Sequence, residues 1–244
     1  MAIDGFFTIR SIAYGVGWEV EPQVLADGRL LFSSALHSHV CYVQPLQGKQ
    51  YMLSFDSQQL ITELEARFKE FPGQPLGNMD LIREILREAS KLASTLPDSP
   101  VLEFEEKMKG ITIDKTTAIR EVEQRVGQDI YRKNLLRYWG GECAITRIGI
   151  EQLLVASHAK PWKDCESAEE RLNVFNGFLL EARYDRLFDQ GFISFTDDGE
   201  LMISRKLDES TVNVLGLSRD LKLRWVRDEH LPFLHWHQQR VFLK

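Results

Sequence analysis

Residues 153–189 constrain the fold of this chain more than any other stretch. The segment begins with the apolar run LLVAS, crosses a polar loop, returns as an apolar run near NGFLLEA and continues into RYDRLFDQG. The two apolar runs predict strands, and the last stretch predicts a short helix that carries Asp185 and Asp189 four residues apart on one face. We therefore predict a compact strand, loop, strand and helix unit.

The polar residues of this unit stand where its elements begin or end. His158 ends the first strand, Asn176 begins the second, and Asp185 and Asp189 lie on the helix. A neutral histidine can take a proton from water, and two carboxylates can hold a hard divalent cation beside a phosphate. The asparagine amide can orient the imidazole or reach the metal. This set of residues is what metal-assisted phosphodiester hydrolysis requires.

Each of these residues also has an ordinary structural interpretation. His158 can simply close a strand, and Asn176 before Gly177 is a common turn pair. Asp185 can be an acidic residue favoured by the helix dipole, and Asp189 can pair with Arg186. Other histidines and aromatic residues of the chain also have ordinary structural interpretations. The pairs His37/His39 and His235/His237 are explained by surface contacts, and Trp18 and Tyr42 are explained as core aromatic residues.

The rest of the chain predicts an α+β protein. Residues 6–55 are rich in β-branched and aromatic residues and predict a β-rich N-terminal module. Two amphipathic helices follow: one capped by Ser57, and one with an apolar face from Leu81 to Ala93. We expect a linker over Val101–Lys115, and domains at 1–112 and 113–244.

Beyond the predicted linker, a helix is expected from about Thr116 to Gly140-Gly141. Further predictions are a hairpin over FISFTDDGELMIS, in which Asp-Asp-Gly is the turn, and a closing helix and strand in LPFLHWHQQRVFL.

Composition limits the classes of function. The net charge of −6 resides in residues 1–129, since the charges of residues 130–244 cancel, so the C-terminal half accommodates phosphate contacts better. Cys41, Cys143 and Cys165 are far apart and form no CxxC pair, so the sequence supports neither a structural zinc knuckle nor a disulfide framework. Neither a signal peptide nor a membrane-spanning run is present, so we expect a cytoplasmic protein.

Over residues 120–244 the sequence resembles a known family. The stretches ASHAKPW, NGFLL and DRLFDQGFISF, followed by the ending LPFLHWHQQRVFL, are similar to the HNH endonucleases, in particular to their restriction-endonuclease branch. The resemblance implies a ββα-metal nuclease domain that cuts double-stranded DNA. It also implies a restriction or phage-defence role, with the N-terminal domain recognising the target.

Carried over residue by residue, the resemblance assigns His158 as general base, Asn176 as the family asparagine, and Asp185 and Asp189 as metal positions. Oxygen ligands make Mg²⁺ or Mn²⁺ the expected cofactor. Lys160 and Arg171 are candidate phosphate contacts. Because one HNH site cuts one strand at a time, double-strand cleavage favours a homodimer. The CxxC pairs that bind a structural zinc ion in some HNH domains do not occur here, so side-chain packing must hold the domain together. Trp139, Trp162 and Phe188 are the expected core residues.

Two departures from the family pattern leave alternatives open. Ser157 stands where many HNH enzymes have an acidic or histidine ligand, which favours a DNA-binding or regulatory protein that keeps the scaffold without cutting. Arg147 replaces a glycine that is usual in this branch, a change that can concern only a turn. A third alternative is an effector nuclease whose N-terminal domain senses a small molecule, although the acidity of that half suits phosphate-rich ligands poorly.

Overall fold

The computed structural model describes residues 2–68, 75–109, 116–218 and 220–244. The chain divides into two compact units, Met1–Ser99 and Pro100–Lys244, which we call unit 1 and unit 2. The boundary expected from the sequence, between residues 112 and 113, lies outside the described residues. Within the described ranges, no helix has both the length and the apolar character needed to cross a membrane.

Where it is described, unit 1 combines one antiparallel sheet with three α-helices. The elements of this unit are, in chain order, α1 (Ala2–Gly15), β1 (Gln23–Val24), β2 (Leu30–Phe32), β3 (Cys41–Pro45), β4 (Tyr51–Phe55), α2 (Gln58–Arg67), β5 (Leu76–Gly77) and α3 (Met79–Ala93). The strands pair in the order β1-β2-β3-β4-β5.

The pleat of the sheet explains the core of unit 1. Every second residue of β4 is buried, as are Cys41 and Val43 of β3, and Val43 pairs with Leu53 across the two strands. Ser57 accepts a hydrogen bond from the Leu60 N–H, which confirms the predicted N-cap of α2. The predicted apolar face of α3 is also confirmed, because residues such as Ile82 and Leu86 are fully buried.

The first part of the predicted β region is wrong. Residues 6–15 belong to the helix α1. Ile9, Ile12 and Ala13 are buried at three- and four-residue spacing, which is the period of a helical face. Burial of that stripe therefore outweighs the β propensity of the aromatic and branched residues around it.

Unit 2 contains the segment that carries the predicted site. Its elements are α4 (Asp98–Met108), which begins just before the unit boundary, α5 (Thr116–Tyr138), β6 (Leu154–His158), α6 (Ala168–Leu172), β7 (Gly177–Glu181), α7 (Ala182–Asp189), β8 (Ile193–Phe195), β9 (Leu201–Ile203), α8 (Glu209–Val214) and α9 (Leu231–Arg240).

The expected linker is wrong over residues 101–108, which are helical in α4, and its residues 110–115 lie outside the described residues. The helix predicted from Thr116 and the β8–β9 hairpin are confirmed. The closing strand is wrong, because residues 241–244 form no strand; instead, the Leu243 N–H donates to the Gly191 carbonyl at 2.9 Å.

Packing around the β6–β7 pair forms the core of unit 2. Phe178, Leu179 and Leu180 of β7 are all fully buried, because α5 and α7 both pack against this pair of strands. Trp139 and Phe188 are fully buried, as expected from the sequence. Trp162 is only half-buried.

Candidate active site

The register of β6 and β7 places His158 opposite Gly177. Gly177 has a φ of 153°, and a Cβ there would lie 2.0 Å from the Ser157 carbonyl oxygen and 2.4 Å from the Tyr131 hydroxyl. Only glycine allows the backbone of β6 and the ring of Tyr131 to approach this closely. Asn176 ends a turn in which its N–H donates to the Asn173 carbonyl at 2.9 Å, as its alternative interpretation as a turn residue expects, and Gly177 begins β7.

Two aromatic rings and one carbonyl hold the His158 imidazole. Tyr131 stacks on it with ring centroids 3.8 Å apart, and Trp162 meets it edge-on at 6.2 Å. The Nε2 atom lies 2.9 Å from the carbonyl oxygen of Arg171. Because a carbonyl only accepts, Nε2 carries the hydrogen of the neutral ring and Nδ1 carries the lone pair.

Burial sets the charge state of this histidine. It lowers the pKa of His158 from 6.5 to about 4, although the hydrogen bond to the Arg171 carbonyl acts in the opposite direction. The imidazole is therefore neutral near pH 7, with Nδ1 available as a base. Nδ1 forms no hydrogen bond with any residue that the structure describes.

Asn176 is fully buried and holds the loop between β6 and β7. Its Oδ1 accepts from the Lys160 N–H at 2.8 Å, and its Nδ2 donates to the carbonyls of Lys160 and Glu170 and to the Cys165 sulfur. These bonds occupy the whole amide. The structure thus places Asn176 next to the loop backbone, whereas the sequence placed its amide at the imidazole or the metal.

The two candidate phosphate contacts also bond within this loop. The Lys160 ammonium pairs with Glu170 at 2.7 Å and is only 12% exposed. The Arg171 guanidinium donates to the carbonyls of Trp162 and Cys165. Both side chains therefore contribute to the loop that supplies the carbonyl partner of His158.

Asp185 lies on α7, which packs against β6. Burial raises the pKa of the Asp185 carboxyl, and a hydrogen bond from the Ser157 hydroxyl lowers it. The neighbouring charge of Asp189 raises this pKa further, while Arg186 lowers it. Ser157 immediately precedes His158 in β6, and the side chains of consecutive strand residues point to opposite faces of the strand pair.

Asp189 lies one helical turn beyond Asp185 and is exposed. Its carboxylate accepts from the Gln190 amide at 3.0 Å and lies 3.7 Å from the Arg186 guanidinium. Asp189 therefore lies at the solvent edge of the helix, whereas Asp185 is half-buried on α7, the helix that packs against β6.

The donor set has a definite chemical preference. Among the described residues, no group of three or more His, Cys, Asp or Glu side chains is arranged to hold a metal ion. Mg²⁺ commonly takes one or two protein carboxylates and completes its shell with water and substrate phosphate. Asp185, with Asp189 at the helix edge, fits that pattern and does not fit an all-protein cage.

The other histidines of unit 2 lie in structural contacts. His237 is buried: its Nε2 donates to the Phe188 carbonyl, and its Nδ1 accepts from the Ser194 hydroxyl. His235 pairs with Asp197 at 2.8 Å. In unit 1, His37 packs edge-on against Trp18 and His39 lies 3.6 Å from Asp56.

Tyr131 is the residue of this site that the sequence did not reveal. It stacks on His158 and donates its hydroxyl hydrogen to the Asn176 carbonyl at 2.9 Å, so one side chain supports both residues. It lies in α5, more than twenty residues before the predicted unit, and no motif singles it out. Only tertiary packing reveals it.

Comparison with known proteins identifies the segment. Residues 143–196 match the family model of the HNH endonucleases, and this stretch contains His158, Asn176, Asp185 and Asp189. The match covers less than a quarter of the chain. It supports nuclease activity on DNA, and nucleases of this kind generally use a divalent metal ion. No curated protein matches the chain.

Proposed function

We propose that this chain is a metal-dependent DNA endonuclease in which His158 takes the proton of the attacking water, on the premise that residues 143–196 are an HNH endonuclease segment. The observation that carries the proposal is the hydrogen bond from His158 Nε2 to the Arg171 carbonyl. This bond fixes the tautomer and leaves Nδ1 as the base.

His158 is suited to this step by its protonation state. Because its pKa is lowered to about 4, the ring is neutral at the pH of the cell and can accept a proton. As the proton moves from water to Nδ1, the water oxygen bonds to phosphorus and one phosphorus–oxygen bond of the backbone breaks. The Arg171 carbonyl and the Tyr131 ring hold the imidazole in place throughout.

Asp185 is the proposed metal ligand, with Asp189 as a second ligand at the edge of the same helix. A bound Mg²⁺ or Mn²⁺ ion supplies charge that neutralises the scissile phosphate and the leaving oxygen. Ser157, whose hydroxyl lowers the pKa of the Asp185 carboxyl, is the residue that we propose to orient this ligand.

Asn176 acts as a positioning residue in this proposal. Its amide ties Lys160, Cys165 and Glu170 together, and the Glu170 carbonyl that it binds is adjacent to Arg171. We place Lys160 and Arg171 as contributors to DNA binding through the loop that they stabilise.

The wider role that we propose is that of a cytoplasmic restriction or defence enzyme. Unit 1 would recognise the target in double-stranded DNA and unit 2 would cut it. Cleavage of both strands would then use a homodimer, since each HNH site cuts one strand at a time.

One observation favours a second function. Ser157, at a position where many HNH enzymes have a ligand, offers no carboxylate or imidazole to a metal. This favours a DNA-binding or regulatory protein that keeps the nuclease scaffold without cutting.

Supercoiled plasmid distinguishes the two functions. The chain would be incubated with unmodified and base-modified plasmid in Mg²⁺, in Mn²⁺ and in EDTA, and DNA binding would be measured in parallel. Nicking that requires metal supports the endonuclease, and metal-independent retention of DNA without nicking supports the non-cleaving protein. Absence of both nicking and binding would overturn both.

A further inference from the structure

A cavity of about 420 Å³ lies in unit 2 beside the His158 loop. Its wall comes from α4, α5 and α6 and from Trp162. Two wall residues, Trp162 and Arg171, also contact the imidazole, one through its ring edge and the other through its carbonyl oxygen. The volume lies in the range of small-molecule sites.

Packing against α5 fixes the tryptophan wall. A Cβ at Gly127 would lie 2.1 Å from the Trp162 ring, so the absence of a side chain there lets the indole lie against the helix. The Arg171 guanidinium lies 5.6 Å from the centre of the same ring. The Trp162 indole is therefore held between α5 at Gly127 and the Arg171 guanidinium.

Among the described residues, the side chains that line the cavity carry a surplus of positive charge. Arg120 and Arg171 line it, against one carboxylate from Glu123. Two bonds to carbonyls use two of the five N–H donors of Arg171 and leave three. Arg120 forms no ion pair or hydrogen bond with any residue in the described part of the chain. Free guanidinium donors in this number suit a phosphate group.

The remaining wall suits a flat ring with polar edges. Phe104 and Trp162 offer aromatic surface, while Gln124 and Glu123 offer a hydrogen-bond donor and acceptors. Aromatic surface stacks on any nucleobase, and amide and carboxylate groups bond to base edges. A phosphate, a ring and polar edges together describe a nucleotide.

We propose that this cavity binds one nucleotide, with its phosphate on Arg120 and Arg171 and its base against Phe104 and Trp162. The nucleotide can be free in solution or can be an unstacked unit of a nucleic-acid strand, since both present the same groups. The site is separate from the Ser157–Asp185 pair. Binding does not depend on cleavage, so it can fail or hold independently of the endonuclease proposal.

The test is calorimetric titration of the full chain in EDTA. The probes are the four 5′-nucleoside monophosphates, their nucleosides, ribose 5-phosphate and a single-stranded ten-nucleotide thymidine oligomer. We expect a monophosphate or the oligomer to bind at least about tenfold more tightly than the nucleoside or the sugar phosphate alone, because each lacks one half of the recognised groups. Binding of monophosphates identifies a free nucleotide, and binding of the oligomer alone identifies a strand.

Matched variants on α5 locate the binding. Arg120→Ala and Gln124→Ala remove exposed wall residues, whereas Arg125→Ala and Gln128→Ala remove exposed residues of the same types outside the wall. We expect the first pair to weaken binding about tenfold and the second pair to leave it unchanged. Lack of binding by every monophosphate and by the oligomer overturns the proposal, as does equal weakening by Arg120→Ala and Arg125→Ala.

Discussion

His158 Nε2 lies 2.9 Å from the carbonyl oxygen of Arg171, thirteen residues along the chain. The loop that supplies this carbonyl is held by Asn176 and by the Lys160–Glu170 ion pair. A backbone oxygen therefore determines which nitrogen of the histidine can act as a base, and buried contacts of the loop determine where that oxygen lies.

Removing carboxylates from α7 should separate their roles. Asp185→Asn should raise the Mg²⁺ concentration needed for half-maximal cleavage more than about a hundredfold, because loss even of outer-sphere partners of a metal costs about 10- to 100-fold. Ser157→Ala should cost about tenfold. Asp189→Asn, at the exposed helix edge, should cost less than Asp185→Asn. The reverse order for the two aspartates, measured by Mg²⁺ titration of plasmid nicking, would contradict the assignment.

Tyr131 should matter through its ring more than through its hydroxyl. Tyr131→Phe keeps the stack on His158 and should lower the free energy of unfolding by about 1 kcal/mol with little change in kcat. Tyr131→Leu should lower kcat more than about tenfold. Tyr138→Phe removes another buried hydroxyl of α5, which accepts from Trp225, and serves as control. If Tyr131→Leu and Tyr138→Phe cut DNA equally well, Tyr131 does not position the base.

Gly177 should tolerate no side chain. Gly177→Ala would place a methyl group 2.0 Å from the Ser157 carbonyl oxygen at a positive φ, so we expect a loss of more than about 2 kcal/mol in the free energy of unfolding. Gly149→Ala is the matched control, because the nearest atom to its Cβ would be 3.6 Å away. Urea denaturation measures both. Similar midpoints for the two variants would mean that the strands do not approach this closely.

Acidification should destabilise the fold before the carboxylates titrate. Burial lowers the pKa of His230 from 6.5 to about 3 and that of His237 to about 4. Below pH 6.5 the unfolded chain binds protons that the folded chain excludes, so stability is complete above that pH and falls toward pH 4. The slope approaches about 1.4 kcal/mol per pH unit for each histidine.

Urea midpoints at pH 7.5, 6.0 and 5.0 measure this effect. Tryptophan fluorescence reports mainly on unit 2, because four of the five tryptophans lie there and only Trp18 lies in unit 1. An unchanged free energy of unfolding between pH 7.5 and pH 5.0 would show that these histidines are not buried as neutral rings.

Local signals account for the parts of the fold that the sequence predicts well. The N-cap of α2 at Ser57 and the apolar face of α3 are each determined by residues that lie within one or two helical turns of one another. Residues 6–15 mislead because their composition favours strand while Ile9, Ile12 and Ala13 follow a helical period, and burial decides between the two signals.

The candidate site also has residues that the local sequence identifies and contacts that it does not. Its residue types and spacing pointed to His158, Asn176 and the two aspartates, whose roles remain predictions. The partners of these residues depend on contacts across the chain: Tyr131 reaches His158 from α5, and Glu170 neutralises Lys160 from α6. No pattern within one segment encodes such contacts, so the sequence could not show that Lys160 and Arg171 bond within the loop.

The most direct test of the account is the cleavage rate of His158→Ala beside its DNA affinity. His235→Ala is the matched control, since that histidine pairs with Asp197 away from the site. We predict that His158→Ala loses metal-dependent nicking of plasmid while binding DNA about as tightly as the unaltered chain, and that His235→Ala cuts normally. Undiminished nicking by His158→Ala would contradict the central claim that this imidazole is the base.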